Sequence, residues 1–249
     1  MTAMTAEFQI QPYANPPIIE AVFEVRFAEP ISEAKVTKAK DWLTNQYANS
    51  ATEVQAEVKV DFATRSAKFI DVGKKFRLTS TDQTNLCLLA PASAIWVRLA
   101  PYEGWESFAA RIASELPTTL KAFGNPPLAR LGLRYVNRID VKLIDGIARH
   151  EDYLNFRIVH GELLEPTNGF QWRLVKEFNE LNLKANVQSG VVETEVPGFA
   201  AFSFDIDIFC DSILPKNANE IIEKIEYMRQ LKNKIFEAGI TEKARKAYS

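Results

Sequence analysis

Two stretches of period-two apolar/polar alternation constrain this chain more than any other feature. Ile18 to Phe27 places Ile19, Ala21, Phe23, Val25 and Phe27 on one side and Glu20, Val22, Glu24 and Arg26 on the other. Ala129 to Val141 repeats the pattern, with Leu131, Leu133, Tyr135, Ile139 and Val141 opposite Arg130, Arg134, Arg138 and Asp140. Period-two alternation means a half-buried strand, with one face on a core and one toward water. Each stretch follows an Asn-Pro-Pro tripeptide, Asn15-Pro16-Pro17 and Asn125-Pro126-Pro127. Such a chain builds on antiparallel sheet, because buried parallel strands read as continuous apolar runs.

The rest of the chain falls into place around these strands. Val36, Ala39, Leu43 and Tyr47 recur at helical spacing behind Ser32, which predicts a helix from Glu33 to about Ala48. Strands are expected over Val54–Phe62, Ala67–Val72, Lys75–Ser80, Thr84–Ala90 and Ala94–Ala100, with Gly73-Lys74 as a hairpin turn. An amphipathic helix follows from Trp105 to Phe123, closed by Gly124. After the second alternating strand come a short helix or turn around His150 to Phe156 and strands near Phe170–Phe178, Leu181–Ser189 and Phe199–Phe209. A long helix, Ala218–Ala238, and a short tail capped by Thr241 end the chain. Each half reads strand, helix, several strands, long helix. The expected fold is therefore α+β: a curved antiparallel sheet with helices on one face, made by tandem duplication of a β-α-β(n)-α unit. The units span residues 1–124 and 125–249, the second looser than the first. This order resembles the saddle-like fold of TATA-binding proteins and, more loosely, helix-grip folds, an analogy that carries no function.

Composition excludes several classes. The chain has 249 residues, enough to bury a core without disulfide or metal staples. A formal net charge of −2 lacks the basic excess of a dedicated nucleic-acid binder. Cys87 and Cys210 sit inside apolar runs with no metal or redox spacing, so they read as buried hydrophobes. No apolar run approaches the roughly 20 residues of a membrane span, and Met1 to Glu7 lacks signal-peptide character. Together these point to the cytoplasm.

Four stretches carry a family resemblance: Asn15-Pro-Pro-Ile-Ile-Glu-Ala-Val-Phe-Glu-Val-Arg-Phe27, Pro101-Tyr-Glu-Gly-Trp105, Arg130-Leu-Gly-Leu-Arg-Tyr-Val-Asn-Arg-Ile139, and Phe236-Glu-Ala-Gly-Ile-Thr241 with Arg245. The chain resembles a sporadically distributed family of prokaryotic proteins of unknown function over nearly its whole length. The resemblance implies no activity.

Few residues could carry chemistry. Asp205 and Asp207, in Phe204-Asp-Ile-Asp-Ile208, share one strand face as paired carboxylates do in metal-dependent phosphoryl transfer. The simpler reading is a pair of solvated acids opposite a core face, so no metal site is assigned beyond these weak candidates. Arg130, Arg134 and Arg138 form a stripe that could grip an anion or pair with acids on a neighbouring strand, Glu20 and Glu24 foremost. If the two alternating strands lie antiparallel side by side, Glu20 meets Arg134 and Glu24 meets Arg130. Asn137 falls in the apolar phase of its strand and needs buried partners or lines a pocket. Trp96 shares a phase with Arg98 opposite Ile95, Val97 and Leu99, which places it on the outer sheet face as a contact residue. His150 and His160 lack zinc-site spacing, and no nucleophile elbow, Walker loop or dinucleotide fingerprint occurs. The leading expectation is a non-enzymatic binding protein, using the outer sheet face for a protein partner, a second protomer or a small ligand, with no cofactor. The alternative is a metal-dependent enzyme on a phosphate-containing substrate, acting through Asp205 and Asp207 with Arg134 or Arg138 as anion clamp.

Overall fold

The computed structural model describes residues 13–61, 66–157 and 169–249. The chain runs β1 (Ile18–Phe27), α1 (Glu33–Leu43), β2 (Asn49–Asp61), β3 (Ser66–Thr79), β4 (Asn85–Ala90), β5 (Ser93–Leu99) and α2 (Trp105–Phe123). Then follow β6 (Leu128–Lys142), β7 (Gln171–Phe178), β8 (Leu183–Val192), β9 (Phe199–Cys210), α3 (Ala218–Gly239) and α4 (Glu242–Tyr248). The nine strands hydrogen-bond in the order β2-β3-β4-β5-β1-β6-β9-β8-β7. The protein is α+β, with an open antiparallel sheet. Outward from β1 the order is β1-β5-β4-β3-β2, and outward from β6 it is β6-β9-β8-β7. Among the described residues the second half has a 3-10 turn, His150–Asp152, where the first has α1. The segment before that turn bends at Asp145 and Gly146, both at positive φ, and has no apolar repeat at helical spacing to bury.

Contacts divide the molecule into two compact units. One comprises Met1–Glu20, Leu133–Phe209 and Glu226–Ser249, the other Ala21–Gly132 and Cys210–Ile225. In the second unit, Ala21, Phe23, Val25 and Phe27 of β1 are buried on the face that receives the apolar stripe of α2, with Phe108, Ile112, Leu116 and Leu120. Phe27 meets Phe123 edge-on at 5.2 Å between ring centroids. Gly124 ends α2 at φ 85°, a left-handed position that glycine takes without strain. In the first unit, Phe202, Phe204, Ile206 and Ile208 of β9 are buried, and Phe236 of α3 stacks on Phe204 at 6.1 Å. Gly239 lets the end of α3 approach Phe204, where a Cβ would collide with the ring. Thr241 caps α4 by accepting from the Ala244 N–H at 3.3 Å.

Two expectations about strands need correction. Gly73-Lys74 is no hairpin turn: β3 runs unbroken from Ser66 to Thr79 against β2. The pairing passes from Gln55↔Gly73 to Ala56↔Asp71, so Val72 is an extra residue in a β-bulge, the other role glycine-rich strand positions serve. The phase of β5 is also reversed. Trp96 is fully buried, not on the outer face, and Arg98 is buried beside it. Trp96 sits opposite Cys87 and stacks on Phe23 at 5.4 Å. The alternation of Ile95, Val97 and Leu99 misled because Arg98 looked solvated. Its guanidinium instead donates to the Pro101 carbonyl at 2.9 Å and pairs with Glu103 at 3.0 Å.

Candidate functional site

In the first unit, the face of β6 turned away from α3 carries Arg134, Val136, Arg138 and Asp140, alternating with buried Tyr135, Asn137, Ile139 and Val141. The same face of β9 carries Ser203, Asp205, Asp207 and Phe209. On β8, Gln188 lies opposite Asp205 and Asn186 opposite Asp207. Alternation thus gathers three strands' polar residues on one surface.

Arg134 and Asp205 form its centre. Arg134 donates from Nε to Asp205 Oδ1 at 2.8 Å and from Nη2 to Oδ2 at 2.6 Å, a two-point fork. The Asp205 side chain is 11% exposed and that of Arg134 47%, so the guanidinium lids the carboxylate. The hydrogen bonds to Asp205 raise the Arg134 pKa, burial opposes them, and the charges of Asp205, Glu20 and Asp207 add to the rise. Asp205 is therefore no solvated acid. It is a buried acid whose two oxygens are already engaged.

The other predicted residues fall as follows. Arg138 bonds Asp140, two residues along its own strand, at 3.0 Å. In the second unit, Arg130 pairs with Glu24 at 2.5 Å, both side chains largely buried. The expected Glu24–Arg130 pair thus forms, with β1 beside β6, whereas Arg134 takes Asp205 and Glu20 reaches it only through its field. Asn137, 1% exposed, donates from Nδ2 to the Phe204 carbonyl at 2.8 Å, tying β6 to β9. Trp96 belongs to the core of the second unit. His160 lies outside the described residues. Cys87 is buried and desolvation pushes its thiol pKa above the usual range, which makes it a poor nucleophile. Burial likewise raises Cys210.

Metal chemistry has little to stand on. Among the described residues, no three His, Cys, Asp or Glu side chains group in a way that could hold an ion. A concavity of about 570 Å³ in the second unit was not foreseen. It lies between Asn125–Leu128, Leu214–Ala218, Leu120 and Ile221. The start of α3 that borders it is satisfied internally: Glu220 accepts from the Lys216 N–H at 2.9 Å and donates its own N–H to Asn217 Oδ1 at 3.1 Å.

Removing Arg134 should expose how committed this pair is. Arg134→Met is expected to cost about 1–3 kcal/mol, since a nearly buried carboxylate loses its counter-charge to a partner that is itself half in water. An Arg134→Met, Asp205→Asn double variant should recover part of that loss in urea unfolding. No loss in Arg134→Met would show that the fork contributes nothing.

No family model matches the chain, and no curated protein matches it. Among solved structures, the S. pombe Pct1 RNA triphosphatase aligns at 8% identity over 95% of this chain and 82% of that one, with a TM-score of 0.15. A superposition that poor carries no argument about fold or activity. No helix among the described residues is long and apolar enough to cross a membrane.

Proposed function

We propose that this is a non-enzymatic binding protein whose outer sheet face in the first unit, around Arg134, Arg138, Asp140 and Asp205, meets the surface of another protein, a second copy of the chain included. The observation that carries this reading is the internal pairing of the chemistry-bearing groups on that face. Arg134 is engaged by Asp205 and Arg138 by Asp140, so the surface presents fixed hydrogen-bonding charges of both signs rather than a reactive centre. Half-buried Val136 and Phe209 lie among them, the mixture found at protein interfaces. Alternating charge fits a polar protein surface better than a polyanion, which would meet Asp140 and Asp207 as well as the arginines.

The common strand order outward from β1 and from β6 further supports descent of the two halves, 1–124 and 125–249, from one duplicated unit. The motifs of β1 and β6, with Phe236–Thr241 at the end of α3 and Arg245 in α4, support membership in the sporadic prokaryotic family named above.

Sedimentation across a micromolar concentration range, with wild type and Arg138→Glu, tests the second-copy form. Concentration-dependent association weakened by the charge reversal is expected, and a monomer throughout removes that form. A thermal-shift series with Mg²⁺, Mn²⁺ and nucleotides tests the reading as a whole. No stabilisation is expected. A rise in Tm that disappears in an Asp205→Asn, Asp207→Asn double variant would overturn it in favour of a metal-dependent enzyme.

A further inference from the structure

Among the described residues, four buried side-chain polar atoms have no hydrogen-bond partner: His150 Nε2, Trp172 Nε1, Ser189 Oγ and Tyr248 OH. Native proteins tolerate few such atoms, because each has lost water and gained nothing. Three of these four fall in one cluster of the first unit. Trp172 of β7 lies directly opposite Ser189 of β8, and Ser189 directly opposite Phe204 of β9, so all three share the helix-facing side of the sheet. Phe156 packs edge-on against Trp172 at 4.4 Å and lies 5.8 Å from His150. His150 in turn lies 4.7 Å from Phe170, which stacks on Phe202 at 5.7 Å.

The cluster has the construction of a ligand site. Phe156, Phe170 and Trp172 are each half-exposed, while the three orphaned atoms beside them are sealed from water. Gly190, next to Ser189, admits the Phe170 backbone, whose carbonyl would stand 2.9 Å from any Cβ there. Phe170 is held in place by accepting from the Val191 N–H at 3.1 Å. Apolar rings with a few converging polar atoms are what small-molecule pockets share.

The atoms also specify chemistry. Trp172 Nε1 only donates, and Ser189 Oγ donates or accepts. His150 Nδ1 lies 3.4 Å from Glu151 Oε2, and the tautomer with its proton on that side presents Nε2 as an acceptor. A partner therefore needs an acceptor beside a donor, on a flat body that stacks on rings.

We propose that the Phe156–Phe170–Trp172 cluster binds a planar heteroaromatic molecule through a lactam edge, its carbonyl taking the Trp172 and Ser189 protons and its N–H donating to His150 Nε2. This site faces the helices, so it stands or falls apart from the outer-face reading.

Isothermal titration of the full chain with uracil, hypoxanthine and nicotinamide, with toluene as a ring lacking the polar edge, tests it. At least one polar-edged probe should saturate with a Kd below millimolar and outbind toluene. Trp172→Phe and Ser189→Ala should each weaken it by roughly tenfold, since each removes one of the two donors to the ligand carbonyl. Ser189→Ala is near-isosteric and removes an orphan, so that unliganded variant should melt no lower than wild type. Probe-dependent quenching of tryptophan fluorescence that is absent in Trp172→Phe gives a second, fold-independent readout. Failure of all three probes to bind, or affinities unchanged in both variants, overturns the proposal. Ordered water on the three atoms in a crystal soaked with the probes would do the same.

Discussion

Replacing Lys232 with methionine should stabilise the protein, by roughly 2–4 kcal/mol at pH 6, and flatten its pH dependence above neutrality. Lys232 of α3 is 7% exposed, its ammonium 4.1 Å above the Tyr135 ring, and no carboxylate bonds it among the described residues. Glu237, the acid whose field favours its charged form, is already engaged by the Tyr13 hydroxyl at 2.9 Å and by Arg245 Nε at 3.1 Å. Desolvation, helped by the positive charge of Arg229 and opposed by Glu237, pushes the Lys232 pKa down to about 7 from 10.5. The sign follows from proton counting. Between pH 7 and 10.5 the unfolded chain holds a proton on this lysine that the folded protein has lost, so stability rises with pH across that window. Below about pH 7 both states hold the proton and the full penalty applies. Wild type should gain about 2 kcal/mol in urea unfolding between pH 7 and 9, and Lys232→Met should show no such gain. Methionine keeps a flexible apolar stem on Tyr135 without the charge. A variant less stable than wild type at pH 6 would mean that the contact with the ring outweighs the cost of burial.

What the sequence conveyed, and what it concealed, follow from where each signal resides. Helix α2 was legible to the residue, because one apolar stripe and a closing glycine are local features. Strands β1 and β6 were legible because both faces of each declare themselves. Glu24 and Arg130 could be paired from sequence because a shared Asn-Pro-Pro entry set the alignment of two strands that the topology then placed side by side. Asp205 could not be assigned to Arg134 in the same way. That pair depends on β9 packing beside β6, a contact between residues 71 apart with no shared motif to align them. Trp96 failed for a different reason. An arginine two residues away implied a wet face, and nothing local reveals that Arg98 would be buried against a carbonyl. The aromatic cluster was invisible for the plainest cause: His150, Trp172 and Ser189 look ordinary singly, and only their lack of partners within one set of packed rings distinguishes them.

The same lesson bears on the largest loss expected from a single substitution, at Arg111. This residue of α2 looks like one more solvated charge in a helix, yet its side chain is 13% exposed. Its guanidinium donates to Asn85 Oδ1 at 2.7 Å, to the Val97 carbonyl at 2.9 Å and to the Leu86 carbonyl at 2.5 Å, joining α2 to β4 and β5. Its Nε also faces Glu115 at 3.3 Å, and that carboxylate, nearly sealed from water, accepts from the Tyr47 hydroxyl at 2.6 Å and from Trp96 Nε1 at 2.9 Å. Burial, with Cys87 and Glu115 nearby, drives the Tyr47 pKa well above the tyrosine range, so its hydroxyl stays a donor at any ordinary pH. Arg111→Met would leave a buried carboxylate without its cation and two strand carbonyls without their donor. The expected cost is about 3–5 kcal/mol, or roughly 10 °C in Tm for a chain of this size. Arg111→Met with Glu115→Leu should be less damaging than Arg111→Met alone, because removing both charges leaves no unpaired ion in the core. Thermal melts of the two variants decide the point. If the double variant is the less stable, the network holds the fold through the hydrogen bonds of Tyr47 and Trp96 to Glu115, and charge pairing with Arg111 is secondary.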